Sequence, residues 1–232
     1  EDDQTTLEIA GEKVTVEQNT FTVTTIEDGS ANVTLRSAIS LANANSGADT
    51  ITFDRSLIGE TITLTLGDLE INDSLTIEGL GPEQLTISGG GFDISSGIEV
   101  DIEGLTITGS SNSGVDNNGT LTLSNSTISE NSGGIFNSGA MTVTNSTVSG
   151  NSASDGGGLD NDGALTVTNS TISGNSASRH GGGLFNRGAL TVTNSTISGN
   201  SASRHGGGLF NRGTLTVTNS TVSGNSASDG GG

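Results

Sequence analysis

The sequence predicts an all-β fold, a right-handed parallel β-helix. This is a three-sided solenoid with coils of about 20–25 residues, behind a short N-terminal capping helix. Three observations predict it: internal repeats of solenoid length, strand-like alternation inside each repeat, and columns of Asn at fixed offsets between the strands.

The repeats come first. Residues 164–188 read ALTVTNSTISGNSASRHGGGLFNRG, and residues 189–213 repeat them without a change. Weaker copies lie upstream. One apolar marker runs through Ile77, Val100, Leu123, Val143, Val167, Val192 and Val217, in steps of 23, 23, 20, 24, 25 and 25 residues. That spacing is too short for a propeller blade and suits a solenoid.

Within the unit, Leu165-Thr166-Val167-Thr168 alternates apolar and polar residues, so Leu and Val face one way and both Thr the other. β-Branched residues favour such strands. Three short apolar stretches per unit, LTV, TIS and GGL, are separated by Asn and Gly and fit a triangular coil. A leucine-rich repeat would need more Leu and a helical return. Gly, Ser, Thr and Asn make up more than half of the chain, while Leu, Ile, Val and Phe make up about a quarter. A narrow solenoid tolerates this, because each coil buries only a few side chains.

Asn marks the corners in three columns. The first is Asn125, Asn145, Asn169, Asn194 and Asn219. The second is Asn131, Asn151, Asn175, Asn200 and Asn225, and the third is Asn137, Asn161, Asn186 and Asn211. Asn accepts the left-handed conformation of a tight corner, and stacked amides bond one another from rung to rung. All three columns are therefore expected to be structural ladders. The first also reads N-S-T, a glycosylation acceptor pattern, but its period already accounts for it.

The N-terminal part differs, and divides the chain into residues 1–73, strands and helical cap, and 74–232, one continuous run of repeats. Residues 1–103 carry 20 acids and 3 bases, against 6 and 4 in residues 104–232. From Thr34 to Asn43, Leu35, Ala38, Ile39 and Ala42 recur at helical spacing, predicting a short amphipathic helix that closes the end of the core. Strand-like pieces follow at Ile51–Phe53, Ile62–Leu66 and Leu69–Ile71.

Val33-Thr34-Leu35-Arg36-Ser37-Ala38-Ile39-Ser40-Leu41-Ala42-Asn43, followed by Gly47-Ala48-Asp49-Thr50-Ile51-Thr52-Phe53, resembles the N-terminal signature of secreted bacterial β-helix proteins with a C-S-L-R-E-A-I-type motif. Val33-Thr34 stands where that motif has Cys-Ser, and Ser37 where it has Glu. The downstream units are similar to the repeats that follow the motif and, more distantly, to polymorphic outer-membrane protein repeats. The resemblance spans roughly residues 20–232. It implies an extracellular or surface location and structural or adhesive roles, and it brings no catalytic motif to transfer.

A net charge of −19 argues against nucleic acid, and no apolar run is long enough to span a membrane. The chain lacks Cys, so neither a disulfide scaffold nor a thiolate metal site is available. Asp160 and Asp162, with Asp155 on the same coil, are the calcium candidates by oxygen ligation; no other cofactor is expected. Acid–base attack on a polysaccharide needs paired carboxylates on one face. The next coils, however, replace Asp160 by Phe185 and Phe210, and Asp162 by Arg187 and Arg212. No Trp or Tyr offers a sugar-stacking platform.

His180 and His205, on adjacent coils, are read as solvated turn residues. Asp155, Arg179, Arg204 and Asp229 form an acid-base-base-acid column of weak ion pairs. Phe185 and Phe210 are expected to face outward as a small exposed apolar patch. Thr166, Thr168, Thr191, Thr193, Thr216 and Thr218 form two outward files that could receive a ligand.

The residues are read as a non-enzymatic, secreted or cell-surface structural or adhesive element of a bacterium, a filament or surface-layer block assembling end to end. The alternatives are a polysaccharide-active, lyase- or hydrolase-like enzyme, and an ice- or glycan-binding solenoid using the Thr files. Expected partners are a glycan or cell-surface component and the chain itself. By the unit's own order, Asp229-Gly230-Gly231-Gly232 falls midway through a coil. The last rung is therefore expected to continue into further coils or to be covered by another copy. Residues 1–23, with Leu7/Ile9, Val14/Val16 and Phe21/Val23 alternating, are candidate covering strands in trans.

Overall fold

The computed structural model describes residues 3–9, 12–29 and 33–231, with side chains from Gln18 onward. Among these residues, three parallel sheets of nine, eight and seven strands run along one solenoid, joined by a smaller four-stranded sheet. In a regular coil, Ala164–Thr168 lies in the first sheet, Thr171–Ser173 in the second and Leu184–Asn186 in the third. Each strand pairs with its equivalent one coil away, Leu165 with Leu190, Ile172 with Ile197 and Leu184 with Leu209.

The alternation read from the sequence sets the core. Leu159, Leu165, Val167 and Ile172 of one coil are all buried, each contributing about 1.5–3 kcal/mol. The marker register needs one correction. Ile102, not Val100, lies beside Ile77 and Leu123, while Val100 pairs with Leu75 and Leu121. Both residues point inward, so alternation alone does not distinguish a slip of two.

The parallel ladders run without a break across residues 73 and 74. Thr20–Val23 and Asp49–Phe53 extend the first sheet, Glu60–Thr63 the second and Leu69–Ile71 the third. The strand expected over Ile62–Leu66 is Glu60–Thr63, which stops short of Leu66, 64% exposed. Asp3–Ile9 and Glu12–Gln18 pair antiparallel as a separate two-stranded sheet, with Leu7 opposite Val14. The covering role expected of Leu7, Ile9, Val14 and Val16 lies outside the described side chains. That of Phe21 and Val23 is corrected, since both sit in the first sheet of their own chain beside Ile51 and Phe53, with Val23 fully buried.

Helix α1, Leu35–Ala42, covers the N-terminal end of the core with Leu35, Ala38, Ile39 and Ala42. Thr34 and Ser37 form a reciprocal capping box at its start. Arg36 locks it in place. Its Nε donates to Asp28 Oδ1 at 2.6 Å, and its terminal nitrogens donate to the carbonyls of Gly67 and Asp68. Asp28 Oδ2 in turn accepts from the backbone N–H groups of Thr65 and Leu66.

Two of the three Asn columns form ladders. In the second, each Nδ2 donates to the next Asn Oδ1 at 3.0 Å from Asn131 to Asn225. In the third, the bonds are 2.7 Å and begin one coil earlier, at Asn117. The first column is corrected. Asn125, Asn145, Asn169, Asn194 and Asn219 have φ of 47–51°, the expected left-handed corner, but their side chains are exposed and make no hydrogen bond among the described residues. The ladder there belongs to the following residue. Ser126, Ser146, Ser170 and Ser195 each donate their backbone N–H to the next serine Oγ, at 3.1–3.2 Å, ending at Ser220.

Candidate functional site

The site grows from a change in coil length. Three residues separate Asn131 from Ile135, seven separate Asn151 from Leu159, and eight separate Asn175 from Leu184. The added residues form the fourth sheet: Ser152–Asp155, Ser176–His180, Ser201–His205 and Ser226–Asp229. Gly156, Gly181 and Gly206 turn each strand back at φ near 60°. The strand ends therefore lie over the outer side of the third sheet, and the His180 ring stacks on Phe210 at 5.0 Å. This flange begins abruptly at residue 152 and leaves a step in the surface.

One file of residues crosses the step on that outer side. Register places Glu70, Asp93, Asp116, Phe136, Asp160, Phe185 and Phe210 on successive coils. Below the step the file is acidic. Burial raises the Asp93 carboxyl above its usual range, and the charges of Glu70 and Asp68 add to this. Asp116 is raised likewise, by burial and then by Asp93. Above the step the file is aromatic and cationic. Phe185 is only 3% exposed, which corrects the expected open patch. Phe210 and His180 cover it, and the Arg187 guanidinium carbon stands 4.4 Å from its ring centre. Phe210 itself is half-buried, with His180 and His205 stacked beside it.

At the foot of the flange a cleft of about 430 Å³ is lined by Asp116, Phe136, Asp155, Asp160, Arg179 and Arg187. Arg187 bridges Asp160, at 3.0 Å, and Asp162. Asp155 takes Arg179 on one oxygen and His180 Nδ1, at 2.7 Å, on the other. Burial pushes Asp155 up, but His180 and Arg179 outweigh it and hold the carboxyl below the usual range. Asp160 goes the other way. Its burial outweighs the nearby Arg187 and pushes its pKa to about 6. Register corrects the acid–base column: Asp155 and Asp229 lie beside His180 and His205, not beside Arg179 and Arg204. Arg179 still reaches Asp155, His205 stands 3.3 Å from Asp229, and Arg204 pairs with neither among the described residues.

Of the calcium candidates, Asp160 and Asp162 are brought together, with Arg187 between them. Among the described residues no group of three or more His, Asp or Glu is arranged to hold a metal ion. The files Thr166/Thr191/Thr216 and Thr168/Thr193/Thr218 run in register on the outer face of the first sheet, away from the cleft. Sequence reasoning missed the flange, the serine ladder and the acidic file. The lengthening of the unit signalled the flange, and the Ser after each first-column Asn signalled the ladder.

Parallel three-sided coils, ladders at the corners and an outer step define a right-handed solenoid with one elaborated face. The profile of the family described as a right-handed β-helix region matches residues 90–232, and the chain belongs to that family. A comparison with curated proteins finds no match. Among the described residues no helix is long and apolar enough to cross a membrane.

Proposed function

We propose that the chain is a non-enzymatic structural or adhesive element displayed outside a bacterial cell. The observation that carries this reading is the pairing inside the cleft. Asp155, Asp160 and Asp162 already hold Arg179, Arg187 and His180, so the groups that acid–base chemistry would need are tied into the wall. Unbroken ladders through consecutive coils support a rigid, load-carrying rod.

A polysaccharide-active enzyme is the second reading, favoured by Asp160, whose carboxyl near 6 suits a general acid. One experiment separates the two. Purified protein is incubated with pectin, alginate and neutral glucans, with and without calcium, and reducing ends and unsaturated products are measured. No turnover is expected. Turnover abolished by Asp160→Ala or Asp162→Ala would establish the enzyme instead.

A further inference from the structure

The outer face of the third sheet has two halves of opposite character. The half below the step is low and acidic, carrying Glu70, Asp93 and Asp116 on successive coils with no cation paired to them among the described residues. The half above is raised by the flange and carries Arg187, Arg204 and Arg212. Arg204 and Arg212 form no ion pair among the described residues, and Arg212 rests only on the rings of Phe185 and Phe210. A rotation of 180° about an axis that lies in the plane of this face, perpendicular to the solenoid and placed at the step between Phe136 and Asp160, sets a second copy's face against it with the halves exchanged.

We propose that this face pairs with the same face of a second copy, side by side and antiparallel about that two-fold axis. The raised half of each copy then fills the space above the low half of the other, so the step is self-complementary in shape. The charges match as well. The rotation carries Asp93 toward the partner copy's coil bearing the unpaired Arg212, and Asp116 toward the one bearing Arg187, which already bridges Asp160 and Asp162, each twice in the pair. Such an isologous contact closes on itself, unlike an end-to-end contact that continues into a filament. The face is about 30 Å long and about 20 Å wide, roughly 600 Å² per copy, at the low end of specific interfaces. Attraction between the unpaired charges governs how readily the copies meet, so the association weakens with salt.

Light scattering coupled to size exclusion, at low salt and high protein concentration, tests it. The expected mass is twice the 23.0 kDa of the chain, falling to one chain as salt rises. Asp93→Arg and Arg212→Asp are each expected to weaken pairing by about tenfold or more, and the double variant to recover most of the loss. Because the chain lacks Cys, a spin label at Ser132→Cys, an exposed site beside the step, reports the geometry. Antiparallel pairing places two labels within about 25 Å, whereas end-to-end contact holds them about 30 Å or more apart. A monomer at every concentration, including one that takes up a saccharide in the cleft, overturns the proposal. So does a dimer indifferent to the charge reversals, or one showing only the longer label distance.

Discussion

Asn175 and Asn200 are joined twice: the Asn175 backbone N–H and its Nδ2 both donate to Asn200 Oδ1, at 2.9 and 3.0 Å. A second donor bond from Asn175 Nδ2 goes back to the carbonyl of Val148, so one buried amide ties three coils together.

Asn175→Ala is therefore expected to cost about 2–4 kcal/mol, since it leaves the buried Asn151 N–H and the Val148 carbonyl of the preceding coil without these partners and breaks the amide ladder. Asn194→Ala removes an exposed amide and loses only its left-handed preference, about 1 kcal/mol, and Asn194→Gly is near neutral. Urea denaturation of the three variants checks the order. Equal losses at 175 and 194 would contradict the assignment.

Asp28 is held below the ordinary carboxylate range. Burial alone would raise it, but the Arg36 side chain and the Leu66 and Thr65 N–H groups prevail. A depressed folded pKa stabilises the protein above the unfolded value of 3.8, and this contribution is lost as pH falls through the folded pKa. Asp28→Asn should cost about 2–3 kcal/mol at neutral pH and flatten the acid limb of the melting curve below about pH 4. An acid limb unchanged in the variant would place the titration elsewhere.

Asp160 should behave in the opposite sense. Its folded pKa of about 6 exceeds the unfolded 3.8, so stability declines as pH rises through that window. Asp160→Asn, which imitates the protonated acid, is expected to match the parent near pH 4 and to exceed it by about 1–3 kcal/mol at pH 7. Thermal melts across pH, with carboxyl NMR titration of Asp160, measure both. A variant less stable than the parent at pH 7 would mean that Arg187 outweighs burial.

At the third corner, a Cβ on Gly188 would collide with the carbonyl oxygen of Gly163 and with the backbone of Asp162. Gly188→Ala should therefore cost at least about 2 kcal/mol by forcing adjacent coils apart. Gly174, with φ of 64° and the Gly150 nitrogen in ordinary contact at 4.0 Å from an added Cβ, tests conformation without a collision. There Ala should cost about 1 kcal/mol while Asn is nearly neutral. Matching losses for Ala at 188 and 174 would argue against the collision.

The fold was legible because burial imposes a period of two on each strand and stacking imposes a longer one on the chain. Both leave marks in residues such as Leu165, Val167 and Asn175. The serine ladder was less legible because Asn and Ser adjoin at every first corner, as at Asn169-Ser170, and composition does not say which turns inward. The left-handed backbone of Asn169 decides it, turning its own side chain out and leaving Ser170 buried. The candidate site was legible only in its parts. Asp160, Asp162 and Arg187 lie up to 27 residues apart, and their meeting depends on which coil carries the first flange strand.

Residues 164–188 and 189–213 are identical, and each coil is held in the same register by the same partners on either side. A gene carrying two such copies in tandem is prone to unequal exchange, and the structure makes the outcome tolerable. Loss or gain of one 25-residue unit shortens or lengthens the rod by about 4.8 Å and leaves every remaining neighbour with the contacts it had. The number of flange coils, and so the length of the raised half of the stepped face, can drift between lineages while the fold stays the same.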